Sequence, residues 1–281
     1  MAGGIKIDIE TNKGYSGLGD IVTLAWLAEA CRETDHPLAF HRLRNFDLMA
    51  MFDLTVDPRP GGIALDEAYR RELADQCRRP RLDYIRDQMG IAERPAQPRI
   101  ILPATAGAWA DDQIFDLGGP PVLLFPQSAW PAREWPASYW VDLAWKLRNA
   151  NIPSVVMLSN EDKRFASTPL YWWGTPLPRV AALVAGAALV VGNDSLPAHL
   201  AGTLGVPTIA LMGPTRPNVF AHAPSVTCIQ TRRIECTGCH FSAPFRAACD
   251  QGCQSLFRIY AEEVFTLITR ALRAGPLPVP G

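Results

Sequence analysis

The sequence predicts an α/β protein built on two doubly wound parallel sheets. Two observations predict it. Short apolar runs of strand length recur along the chain, such as AALVVG ending at Gly192 and TIALMG starting at Thr208, and they read as strands buried on both faces. Stretches with helical periodicity and helix-start residues alternate with such strands in both halves, the pattern of crossover connections between parallel strands.

Taken in order, IKIDIET (Ile5 to Thr11) alternates as a strand. The tight Gly17-Leu18-Gly19 loop follows, and Asp20 opens an amphipathic helix running to about Arg32. LAFHRL is the next strand, NFDLMAMFD a short helix and LTVDP a third strand. One helix is expected from about Asp66 to Met89, with Arg70, Arg71, Arg78, Arg79 and Arg81 forming a solvated face or else a patch for an acceptor or another subunit. Pro95, Pro98 and Pro103 punctuate a looser stretch around a strand at RIIL. Gly118-Gly119-Pro120-Pro121 is the best linker, so the expected domains are 1–118 and 119–281. Beyond it come strand PVLLFPQS, helix Ala137 to Asn149, strand PSVVMLSN, helix LPRVAALVAGA and strand AALVVG. A helix from Pro197 to about Leu204, strand TIALMG, strand VTCIQT, a cysteine-rich loop (236–253) and a closing helix (260–274) complete the chain.

Composition sets the class. With 281 residues, 48% of them hydrophobic and 20% charged, the chain has a real core, and no run reaches the ~18 apolar residues of a membrane span. MAGGIKIDIE has no signal-peptide pattern, and seven cysteines without one suggest reduced thiols or a metal site. The expected compartment is the cytoplasm. Residues 1–120 hold 14 Lys and Arg against 19 Asp and Glu, while the remainder holds 13 against 9. That fits an anionic ligand on the C-terminal half and argues against nucleic acid on the N-terminal half.

Three stretches carry the chemistry. In Gly192 to Thr215, GNDSLPAHLAGTLGVPTIALMGPT, Asn193, Asp194 and Ser195 are cap-type residues before a helix with Pro197 in its first turn. Such a helix N-terminus suits a phosphate, since its N–H groups and dipole favour an anion. In SAWPAREWP (128–136), Arg133 sits between two Trp-Pro pairs in a loop just after a strand and just before a helix. The third stretch is GLGD (17–20) before an apolar helix.

Together, from Gly17 to Thr215, these stretches resemble glycosyltransferase family 9, the heptosyltransferase-like enzymes. The resemblance implies the GT-B fold: an acceptor-binding and a nucleotide-sugar-binding Rossmann-like domain facing a cleft. It implies an inverting sugar transfer from a nucleotide diphosphate, such as ADP-heptose, to a hydroxyl of a glycan or protein, without a catalytic metal. Asp20 would be the general base, and Ser128, Arg133, Asp194, Ser195, Leu196 and His199 would bind the donor. Arg133 takes the place of the family's lysine, and Leu196 that of its usual glycine. Glu161 in LSNEDK falls where the family places acidic residues near the donor ribose, and Thr175 where backbone contacts the base.

The remaining motif is Cys236-x2-Cys239-x9-Cys249-x3-Cys253. Its first pair has metal-knuckle spacing, and four thiolates suit one structural zinc or iron. In the autotransporter heptosyltransferases of this family, comparable cysteines hold iron at a subunit contact, which implies a homo-oligomer. Two other readings compete: a nucleotide-sugar epimerase or hydrolase on the same fold, and a metal-finger scaffold without transfer activity.

Overall fold

The structure is a computed structural model that describes residues 5–8, 17–35, 37–41, 46–57, 62–231, 236–241 and 252–274. The chain divides into two compact units, Met1–Ile101 with Asn218–Ala223, and Leu102–Pro217 with Pro224–Gly281. Among the described residues no helix is long and apolar enough to cross a membrane.

In the second unit the apolar runs form the sheet that the sequence predicts. β3 (Val122–Phe125), β4 (Ser154–Leu158), β5 (Tyr171–Trp173), β6 (Leu189–Asn193), β7 (Thr208–Met212) and β8 (Val226–Gln230) pair in parallel in the order β5-β4-β3-β6-β7-β8. Alternate side chains serve opposite faces. Val122 and Leu124 join a core with α6 (Ala137–Asn149) and α9 (Ala261–Ala274), while Leu123 and Phe125 join one with α5 (Ala104–Asp116), α7 (Leu177–Ala185) and α8 (Leu196–Thr203). Trp135, packed edge-on to Trp140 at 4.9 Å, donates from Nε1 to Ile259 O at 2.8 Å and so ties α9 to the first face.

Helix α5 and strand β5 are not foreseen in the sequence. ATAGAWADDQIFD has few long apolar residues, but its buried Ala106 and Ala110 join the core of the second face, where α5 packs against α7. This helix moves the unit boundary to Ile101–Leu102, ahead of the linker read at Gly118-Gly119. Those glycines instead stop α5, with φ of 82° and 136°, and their N–H groups donate to Phe115 O and Ile114 O at 3.0 Å.

In the first unit, β1 (Ile5–Asp8) and β2 (Leu38–His41) pair in parallel, with Ile7 bridging Ile63 and Phe40 bridging Val56. LTVDP thus contributes a bridge rather than a strand, and RIIL makes one ladder-like contact, Ile101 N–H to Met51 O at 2.7 Å. α1 (Leu18–Ala30) is buried from Ile21 to Leu27, and α2 (Phe46–Met51) follows β2. The single helix expected over 66–89 is two, α3 (Asp66–Ala74) and α4 (Arg81–Met89). Gln76 and Cys77 take positive φ values of 54° and 49°, and Pro80 caps the second helix.

Candidate functional site

In the sheet of the second unit, the chain runs from β3 outward one way and from β6 outward the other, so the strand order reverses between them. Open parallel sheets bind ligands outside the strand ends at such a reversal. The loops that leave β3 and β6 there carry the two longest motifs.

Asn193, fully buried at the end of β6, staples the Trp-Pro loop at both ends. Its Nδ2 donates to Pro126 O at 2.7 Å, and its Oδ1 accepts from Trp135 N–H at 3.1 Å. Inside the loop, Glu134 Oε1 accepts from Ser128 N–H at 3.1 Å and Ser128 Oγ accepts from Trp130 N–H at 3.3 Å. Arg164 pairs with Glu134 from outside at 3.3 Å. Glu134 is a site-shaping residue that the sequence does not mark, because its role depends on a loop closing on itself.

The closed loop delivers Arg133 to Asp194. Arg133 Nη1 donates to Asp194 O at 3.3 Å, its Nε lies 3.5 Å from Asp194 Oδ2, and its guanidinium stacks over Trp130 at 5.2 Å. Asp194 is 2% exposed, accepting from Thr215 Oγ1 at 2.6 Å on Oδ2 and facing His199 Nε2 at 3.4 Å with Oδ1. Burial alone would raise its pKa. The Arg133 charge, with the hydrogen bonds from His199 and Thr215, outweighs burial and holds the carboxyl well below the usual carboxylate range. Asp194 and His199 therefore sit inside the wall of this corner, where they hold Arg133 and the turn at Thr215.

The expected side-chain cap of α8 is not made. Ser195 is the extended residue before the helix (φ −155°, ψ 173°), but its Oγ caps nothing and is buried without a hydrogen-bond partner among the described residues. A buried, unsatisfied hydroxyl is rare enough to require an explanation such as a ligand. Leu196 is half-buried at the first helical position. Glu161 is exposed in the loop after β4, and Thr175 is half-buried ahead of α7, following Gly174 at φ 68°.

The described cysteines of the finger approach the same corner. Gly238 N–H donates to Gly213 O at 3.0 Å and His240 N–H to Pro214 O at 2.8 Å, while the His240 ring meets Trp130 at 5.4 Å. The Cys236–Cys239 turn closes through Cys239 N–H to Cys236 O at 3.1 Å, around Gly238 at φ 74°. Cys253 is buried with Sγ 2.9 Å from Ser255 Oγ, and Cys249 lies outside the described residues. Among the described residues no group of three or more His, Cys, Asp or Glu is placed to hold a metal. Cys236 and Cys239 fit half of a thiolate site; Cys253 does not join them.

In the first unit, Asp20 lies in the first turn of α1. Its Oδ2 accepts from Gly17 N–H at 3.0 Å and its Oδ1 from Arg81 Nη1 at 3.0 Å. Arg81, read in the sequence as part of a solvated face, is 5% exposed and donates from Nε to Glu72 Oε1 at 2.9 Å.

The model of glycosyltransferase family 9 (heptosyltransferase) matches residues 81–243, more than half of the chain. No curated protein matches the sequence. Among solved structures, the E. coli ADP-heptose lps heptosyltransferase II is similar at a TM-score of 0.61 and 16% identity, covering 96% of this chain and 98% of that one. A family 9 glycosyl transferase from Veillonella parvula reaches 0.65 at 17% identity, covering 96% and 97%. The iron-containing dodecameric glycosyltransferase TibC from enterotoxigenic E. coli reaches 0.66 at 16% identity, covering 96% of this chain and 76% of TibC. These likenesses show the fold, a mixed α/β architecture with parallel sheets that matches GT-B glycosyltransferases. With the family model spanning the Trp-Pro loop, the switch point and the start of the cysteine finger, the chain belongs to glycosyltransferase family 9.

Proposed function

We propose that this glycosyltransferase moves heptose from ADP-heptose to a hydroxyl of a glycan or protein acceptor, with inversion at the anomeric carbon. The observation that carries the reading is the unsatisfied Ser195 hydroxyl at the start of α8, next to the residue that holds Arg133. A diphosphate supplies acceptor oxygens for the hydroxyl and negative charge for the helix end, and it gives the guanidinium a second anion beside Asp194. TibC has been crystallised with ADP-D-beta-D-heptose, which supports the choice of donor.

As the bond from the anomeric carbon to the diphosphate breaks, charge grows on the leaving oxygen, and Arg133 and Ser195 stabilise it. Ser128 contributes through the Trp-Pro loop, Glu161 takes the ribose hydroxyls, and the backbone at Thr175 meets the base. Asp20 removes the proton from the acceptor hydroxyl as it attacks. The scheme uses no catalytic metal.

The same reading assigns Cys236, Cys239, Cys249 and Cys253 to one structural iron or zinc. The closed Cys236–Cys239 turn and the iron of TibC support it, and Cys253 would have to rotate away from Ser255 to take part. We extend to the chain a homo-oligomeric state, by analogy with dodecameric TibC, and a reducing, cytoplasmic compartment that suits its thiols.

A panel of nucleotide sugars with mass-spectrometric detection of transferred or hydrolysed sugar tests the donor. With the donor so found, Asp20→Asn should retain donor binding and lower turnover by roughly 10²–10⁴-fold, the usual worth of a general base. Unchanged turnover would sink the assignment of Asp20.

A further inference from the structure

Arg81 occupies a costly position. It is the first residue of α4, where the helix dipole disfavours a cation, and it is buried, where a guanidinium is tolerated only with well-placed partners. Neither helix propensity nor core packing explains a buried arginine there. Its contacts do: one edge, through Nε, is held by Glu72 of α3, which is 0% exposed, and the other, through Nη1, reaches Asp20 of α1. A planar guanidinium fixed at one nitrogen has little freedom at the next, so Glu72 sets the direction in which Arg81 meets Asp20.

Asp20 is clamped from a second side by the Gly17 N–H on Oδ2, and a side chain at Gly17 would bring its Cβ within 3.1 Å of that oxygen. With one oxygen held by the backbone and the other by Arg81, the plane of the carboxylate is set. The side chain keeps 19% of its surface exposed, the part available to an incoming hydroxyl. The neighbouring helices α3 and α4 thus converge with the distant start of α1 on the orientation of one carboxylate.

We infer that Arg81, oriented by Glu72, is a positioning residue for Asp20: it fixes the carboxylate for proton abstraction without touching either substrate. The inference rests on the reading of Asp20 as general base. A base held in one geometry works on a hydroxyl placed in one geometry, and misplacement by about 1 Å lowers rate by around 10²-fold. The signature is a loss in kcat at unchanged donor affinity, because Arg81 takes no part in holding the nucleotide.

The test uses the full chain, ADP-heptose as donor and ADP release as the readout, with the acceptor that supports turnover of the native enzyme, water included. Arg81→Met removes the cation that faces the buried Glu72 and is expected to fold poorly, so the informative variants are Arg81→Lys, which keeps a cation for Glu72, and Glu72→Gln, which keeps an acceptor for Nε. Both should melt as cooperatively as the native protein and keep the donor KM within about threefold. Arg81→Lys should lower kcat roughly 10–100-fold and Glu72→Gln less, on the scale of lost orientation. In an Asp20→Asn background, Arg81→Lys should lower kcat no further. If its loss in that background is as large as in the native one, or falls on KM or melting alone, Arg81 is not acting through Asp20. If Asp20→Asn itself leaves turnover unchanged, the general-base reading fails, and the positioning role fails with it.

Discussion

Replacing Asp194 with Asn tests whether a charge or merely a hydrogen-bonding shape organises the switch-point corner. The substitution keeps the volume and removes the charge that faces Arg133, and it turns one oxygen into an NH₂ group. That NH₂ must face either Thr215 Oγ1, at 2.6 Å from one carboxylate oxygen, or His199 Nε2, at 3.4 Å from the other. Breaking a buried ion pair costs about 3–5 kcal/mol when the stranded charge stays buried. Here the stranded charge belongs to Arg133, whose side chain is 25% exposed and can reach water, so about 1–3 kcal/mol is expected. In a unit of this size that lowers the melting temperature by roughly 2–4 °C per kcal/mol. The pH dependence follows from the direction of the shift. The folded carboxyl lies far below its unfolded value, so its stabilisation is complete above the unfolded pKa of about 3.9 and is lost as pH falls further. Calorimetric melts should therefore show a native-to-variant gap that is constant from pH 7 to about 5 and narrows below about pH 4. A gap that persists unchanged below pH 4 would mean that the charge is not its source.

Two further substitutions separate ligand contacts from scaffolding. Arg133→Ala should weaken ADP binding by roughly 10–100-fold, from the loss of a charged hydrogen bond, and leave adenosine binding within about threefold; calorimetric titration showing equal losses for both ligands would make Arg133 a folding residue. Cys236→Ser with Cys239→Ser should remove about one iron or zinc per chain, measured by elemental analysis of protein purified without added metal. The same pair should also weaken ADP binding, since the Cys236–His240 segment packs on the turn at Gly213 and Pro214 and on Trp130. Metal-free native protein would remove the metal assignment, and ADP binding untouched by the double substitution would confine the finger to a remote structural role.

The second of those outcomes is where chain order misleads. Read along the sequence, the finger is far from the Trp-Pro loop and looks separable from it. In the fold, β7 and β8 carry the finger back to the end of β6, because parallel strands all exit on one edge of the sheet. Five of the six strands of that sheet were legible, since parallel strands buried on both faces are written as unbroken apolar runs, whereas the three-residue β5 is not buried and was not. Helix α5 was not legible either, because its buried residues are Ala106 and Ala110, with Trp109 and Ile114 only partly buried beside them, and small residues leave little hydrophobic period to read. The long helix over 66–89 was misread for a complementary reason. Its periodicity continues on both sides of a break made by two residues with positive φ, neither of them glycine.

The site residues divide along the same line. Ser128, Arg133, Asp194, Ser195 and His199 sit in two continuous motifs, and the resemblance to family 9, not their spacing, is what groups them; in the fold Asp194 and His199 hold the wall rather than face outward. Arg81 and Glu72 carry no such mark. Among five arginines in twelve residues the natural reading is a solvated face, and Arg79 does lie exposed with Asp87 at 2.8 Å. What singles out Arg81 is visible only in three dimensions: a break after α3 redirects the chain, so that the first residue of α4 points inward at two carboxylates. The break that defeated the helix reading is thus what makes the ion-pair network possible. A continuous helix over 66–89 would turn Arg81 by about 180° relative to Glu72, since nine residues at 100° each leave half a turn, and could not bring the two together through an Nε bond. Shortening that break, by deleting Gln76 and Cys77, should therefore cost the Arg81–Glu72 pair before it costs α3 or α4.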